Sequence, residues 1–144
     1  MAACIFNKLA RERGVLDVVA ESAGTEAMSG MRATPMAVGA ALRHDVDLRG
    51  HRSRPLTREV ADAASLILTM TGRQWYDATE LVSREKVALL PGFGRPDAQK
   101  EEILDPFGDS EGTYDETFER IEAEIGESFP WIAERARAMS GREP

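Results

Sequence analysis

The chain reads as an α/β domain in three layers, a parallel sheet with helices on both faces. Three observations predict this. Short β-branched or apolar runs at Val15–Ala20, Ser65–Met70 and Lys86–Leu90 alternate with helix-periodic segments. A strand, a helix and a further strand in that order return parallel to the first strand. The 144 residues are 42% hydrophobic and 30% charged, which suits one domain with one sizeable core. No internal repeat, low-complexity stretch or second domain interrupts residues 1–144.

The first helix is expected from Met1 to Arg13. Ala2, Ile5, Phe6 and Leu9 share one face, and Gly14 ends it. No capping residue precedes it, although a helix N-terminus needs partners for its unpaired N–H groups. Val15–Ala20 is a short strand by its β-branched content. Glu21–Ala33 is a loop rich in Gly, Ser and Met. Thr34 caps the next helix and Pro35 occupies its first turn, with Val38, Ala41 and Leu42 as the buried stripe. Asp45–Pro55 is a polar connector. Thr57 caps a short helix that turns Val60, Ala61 and Ala64 inward.

Ser65–Met70 reads as a buried strand. Trp75, Ala78, Leu81 and Val82 mark a helix, Lys86–Leu90 another strand, and Pro91–Leu104 a loop. Thr113-x-x-Glu116 resembles a capping box ahead of the clearest helix. There Tyr114, Phe118, Ile121 and Ile125 repeat at helical spacing. Gly126 and Pro130 are expected to bend or break that helix.

The net charge of -7 and pI near 4.9 argue against nucleic acid or an anionic membrane as the main partner. Arg49, His51, Arg52, Arg54 and Arg58 nonetheless cluster in one stretch, either a solvated loop and helix start or a local basic cleft. A single cysteine, Cys4, leaves no disulfide framework and no Cys-rich metal site, and no cofactor is expected. No apolar run approaches the ~20 residues of a membrane span. Met1–Phe6 lacks the regions of a signal peptide, so the cytoplasm is the expected location. By residue type alone, Asp105 before Pro106 is a turn or capping aspartate. On the same basis Met28 and Phe107 are packing residues, and His51 is a solvated histidine.

Several segments together resemble the low-molecular-weight protein tyrosine phosphatases. The opening M-A-A-C-I-F-N-K-L-A is similar to the helix that follows the family's Cys-x5-Arg-Ser-Pro loop. Glu21-Ser22-Ala23-Gly24-Thr25 matches the family's E-S-A-G-T turn. Thr34-Pro35-x-Ala37-Val38 matches the helix after it, and Gly50-His51-x-Ser53-x-x-Leu56-Thr57 the connector beyond. Ala63–Thr71 resembles a family strand, and Asp105-Pro106-Phe107-Gly108 its general-acid loop. These landmarks stand in family order over nearly the whole chain. The D-P-F-G and M-T forms look most like the bacterial branch, which includes protein arginine phosphatases.

The resemblance implies a flavodoxin-like phosphatase fold and hydrolysis of phosphorylated protein side chains through a phosphocysteine. It makes Asp105 the acid that protonates the leaving oxygen and then activates water. It places Phe107 and Met28 at the walls around the substrate ring. Ser22 and His51 match residues that hydrogen-bond the phosphate loop. That loop supplies a thiolate, a ring of N–H groups and an arginine. It is not among these 144 residues, nor is the central first strand before it. Cys4 and Arg11 have six residues between them rather than five, and Cys4 stands within a helix as a structural or incidental thiol. The chain as given is therefore expected to be inactive.

Three readings compete. One is a family member that starts late, because Met1 coincides with the methionine of the family's S-P-M-A segment. Another is a pseudophosphatase that serves as a binding module. The third is an arsenate-reducing relative, which needs cysteines beyond Cys4. The expected partner is a phosphorylated protein or peptide once the loop is present. The unpaired sheet implies one of three outcomes: a rearranged sheet, a strand donated by another chain in a strand-exchanged homo-oligomer, or a poorly stable fragment. The sequence does not separate phosphotyrosine from phosphoarginine.

Overall fold

The computed structural model describes residues 1–141; residues 142–144, included in the single-domain expectation, lie outside the described residues. The elements in order are α1 (Ala2–Glu12), α2 (Pro35–Arg43), α3 (Arg58–Ala63), β1 (Ile67–Thr69), α4 (Gly72–Thr79), β2 (Val87–Leu89) and α5 (Glu111–Ser140). A 3₁₀ turn at Arg84–Lys86 leads into β2. The architecture is α/β. β1 and β2 run parallel, with Ile67 opposite Val87, Leu68 opposite Ala88 and Thr69 opposite Leu89.

Helices α1 and α2 both pack on α5, and α4 packs on both strands. Ile5, Phe6 and Ala10 of α1 are buried against α5, where Phe6 stacks on Phe129 at 5.0 Å between ring centres. Tyr114, Phe118, Ile121 and Ile125 are all buried, as their helical spacing requires. Leu66, Leu68 and Met70, in and beside β1, pack onto this core. Thr34, Thr57 and Thr71 cap α2, α3 and α4, each accepting from the N–H three residues on.

Five expectations are corrected. Val15–Ala20 forms no strand, and Leu16 and Val19 are 76% and 73% exposed. β-Propensity reflects packing on a pleated neighbour, and no strand lies beside this segment among the described residues. Its backbone turns instead to α1. The Asn7 side chain receives a hydrogen bond from the Ala20 N–H and donates one to the Ala20 carbonyl, both at 2.8 Å. Asn7 thereby imitates one step of a strand pair.

In α2 the buried residues are Ala37, Ala40 and Ala41, while Leu42 is 45% exposed. The face toward α5 runs one position away from the expected stripe and continues to His44, which stacks on Phe118. Helix α4 ends at Thr79, so Leu81 and Val82 lie in the following turn, both amides bonded to the Ala78 carbonyl. Helix α5 is capped by Ser110, whose Oγ accepts from the Thr113 N–H, so the Thr113–Glu116 box is not used.

Helix α5 also runs unbroken through Gly126 and Pro130 to Ser140. Proline at position 130 leaves the Gly126 carbonyl without its helical donor. The Arg13 guanidinium fills that place at 3.2 Å, and it also lies over the Phe129 ring at 4.6 Å.

Candidate functional site

In parallel sheets, ligand sites gather beyond the C-terminal ends of the strands. The loop after β2 meets that description. After β2 the Leu90 N–H donates to the Thr69 carbonyl at 2.8 Å, and the Ile103 N–H donates to the Met70 carbonyl at 3.1 Å. The chain thus returns across the end of β1 immediately before residues 105–108. There Asp105 accepts from the Phe107 N–H at 3.0 Å, the short turn favoured by aspartate. The Asp109 N–H donates to the Pro106 carbonyl at 2.9 Å, and Gly108 holds a left-handed φ of 87° that a side chain would strain. Pro106 is buried and anchors the turn. Asp105 is exposed, and the Phe107 ring beside it is 75% exposed.

The second set stands on two segments laid side by side, residues 24–32 and 51–56. The Gly24 N–H donates to the Arg54 carbonyl at 3.0 Å, and the Leu56 N–H to the Gly24 carbonyl at 2.9 Å. The Gly30 N–H reaches the Ser53 carbonyl at 2.7 Å, and the Ser53 N–H the Met31 carbonyl at 2.8 Å. The Ser53 hydroxyl accepts from the Met31 N–H and donates to the Met28 carbonyl. This fastening leaves Met28 70% exposed.

Ser22 is exposed, and its carbonyl accepts from the Arg54 guanidinium at 3.0 Å. His51 is half-buried beside Arg52. Burial first, then the nearby Met1 ammonium and Arg52, lower its pKa and favour the neutral imidazole. The structure thus gathers Met28 and His51 onto one pair of segments and Asp105 and Phe107 into one turn. No hydrogen bond joins the two sets among the described residues.

Cys4 sits in the first turn of α1, where its N–H already donates to the Met1 carbonyl at 3.1 Å. It lines a shallow cavity of about 320 Å³ with Asn7, Lys8, Arg11, Asp45 and Asp47. Lys8 is committed there to the His44 carbonyl at 2.9 Å. Cys4 and Arg11 share this helix face but enclose no loop of N–H groups that could surround a phosphate. No group of three His, Cys, Asp or Glu side chains suited to a metal ion occurs among the described residues.

Two supporting residues escaped the sequence reading. Ser53 fastens the segment that carries Met28, and Arg54 bridges Ser22 and Glu21. Ser53 stood inside the quoted Gly50–Thr57 segment, but a hydroxyl's partners cannot be read from spacing.

Comparison with known proteins bears on family and fold. The family model described as low molecular weight phosphotyrosine protein phosphatase matches residues 1–137. A protein-arginine-phosphatase of Bacillus subtilis is 34% identical over 124 residues, covering 85% of this chain and 80% of that protein. The Escherichia coli K12 low molecular weight protein-tyrosine-phosphatase Wzb is 36% identical over 104 residues, covering 71% and 68%. A crystal structure of a low molecular weight protein tyrosine phosphatase from T. tengcongensis superposes with a TM-score of 0.81 at 25% identity, covering 90% of this chain and 87% of that one.

Proposed function

We propose, for a chain that belongs to the low molecular weight phosphotyrosine protein phosphatase family, that it supplies the proton-transfer side of a site that hydrolyses phosphorylated protein side chains. The observation that carries this is the residue 105–108 turn, pinned beside the end of β1 and presenting an exposed carboxylate next to an exposed ring.

In the proposed reaction a thiolate attacks phosphorus and the bond to the leaving group breaks. Asp105 gives its proton to the departing atom. A water then attacks the phosphocysteine, Asp105 takes the proton back, and phosphate leaves with the thiolate restored. General acid–base help of this kind contributes roughly 10²–10⁴-fold. Phe107 and Met28 wall the substrate group. Ser22 and His51 would orient a phosphate loop, His51 as a neutral ring able both to donate and to accept.

The only thiol in the 144 residues is Cys4, whose helical setting offers no amide cradle. This polypeptide by itself is therefore proposed to be catalytically silent. The relatives' names point to phosphotyrosine and phosphoarginine alike, and the proposal is a phosphorylated protein substrate of either kind.

The test of Asp105 fuses an apolar strand and a Cys-x5-Arg-Ser-Pro loop ahead of Met1. Turnover of p-nitrophenyl phosphate should appear, and turnover of a less activated aryl phosphate should fall roughly 10²-fold or more on Asp105→Asn. Activity in the fusion that is indifferent to Asp105→Asn would remove this residue from the mechanism.

A further inference from the structure

Arg32 and Arg52 face each other directly across an antiparallel bridge. Like charges set opposite one another in a strand pair are destabilising. The conflict occurs beside the candidate site, because Met28 and Met31 lie on the same segment as Arg32, and His51 and Ser53 flank Arg52. A local rule broken without compensation tends to mark a place kept for function.

The surrounding charges sharpen this. Residues 49–58 hold four arginines and no carboxylate, in a chain with a net charge of -7. Arg49 is neutralised by Asp47 and Arg54 by Glu21, each pair at 2.8 Å or less. Arg58 lies against the Leu81 and Glu80 carbonyls. Arg52 donates only to the Arg49 and His51 carbonyls, at 3.2 and 2.7 Å, so its side chain is held in place with its charge unmatched. Arg32 is exposed and pairs with no carboxylate among the described residues. The rest of this acidic surface would repel an acidic segment; here two unmatched guanidinium groups stand beside two exposed methionines.

We propose that Arg32 and Arg52 form a specificity rim that docks an acidic protein segment, carboxylates flanking the phosphorylated residue of the substrate. Each guanidinium would take one carboxylate, which also relieves the opposition between the two arginines. The placement of this rim next to a catalytic pocket rests on the phosphatase reading above; its charge selectivity does not.

The test titrates the 144-residue chain with fluorescein-labelled peptides in low salt. Two are phosphotyrosine peptides, one with Glu at the flanking positions and one with Gln. A third is the Glu peptide with unphosphorylated tyrosine. The Glu peptides should bind more tightly than the Gln peptide, and the margin should shrink in 0.5 M salt. Arg32→Ala or Arg52→Ala should each weaken the Glu peptides by about two- to fivefold, the range of exposed ion pairs. Arg32→Lys should restore part of the loss, and unchanged circular dichroism should accompany each variant.

Equal affinity for Glu and Gln peptides, indifference to both arginines, or preference for a single-stranded oligonucleotide would overturn the proposal. If the Glu preference holds but Phe107→Ala and Met28→Ala change neither phosphorylated peptide's affinity, the rim stands and the catalytic placement beside it fails.

Discussion

At the scale of single residues, the site is built from side chains with two duties. Asp105 closes its own turn through the Phe107 N–H and still presents its carboxylate to solvent. Ser53 fastens two strands of loop while setting the exposure of Met28. His51 carries a cost that can be measured. Burial lowers its pKa, so the unfolded chain accepts the proton near pH 6.5 while the folded chain accepts it only at lower pH. Across that interval the unfolded state binds more protons, and stability rises with pH. The contribution is therefore complete above about pH 6.5 and is lost on acidification. Urea unfolding followed from about pH 5 to 7 should show a rising midpoint that flattens in His51→Gln. A lower limb belongs to Asp47, held at about 2 by hydrogen bonds from Arg49. Its stabilisation is present above the usual carboxylate range and disappears as pH falls toward 2.

At the scale of elements, most of the fold was legible because periodicity and caps are local. The α5 stripe, the Thr34 and Thr57 caps and the β1 and β2 runs stand where residue spacing placed them, as does the D-P-F-G turn. Two of the failures are long-range. Val15–Ala20 has strand composition, but a strand requires a neighbour, and Asn7 of α1 takes that role for one residue only. Pro130 reads as a helix breaker, but Arg13, over a hundred residues away, supplies the donor that proline cannot. A double-mutant cycle tests the second point. Arg13→Ala should destabilise the chain by about 1 kcal/mol. With Pro130→Ala the Gly126 carbonyl regains a helical donor, and the same change should then cost measurably less. Equal losses in both backgrounds, read from denaturant midpoints, would show that Arg13 acts only through its contact with Phe129.

At the scale of the whole molecule, helices carry the core and the described sheet is two-stranded. A two-stranded sheet gains stability only from what covers it, here α4 on both strands and the α1–α5 core beneath β1. Thr69 directs its carbonyl toward β2, so its neighbour Leu68 turns its backbone groups to the opposite edge. Hydrogen exchange at Leu68 should be far faster than at Ile121 or Ile125 within α5, and protection equal to that of α5 would mean that another chain's strand covers this edge. The proposed proton donor Asp105 and the proposed substrate walls Phe107 and Met28 belong to these 144 residues, whereas their only thiol, Cys4, lies in a helical turn. The most direct measurement is phosphate release from p-nitrophenyl phosphate by the 144-residue polypeptide. No release above background is the predicted result, whereas turnover of ~1 per second or more, abolished by Cys4→Ser, would contradict it.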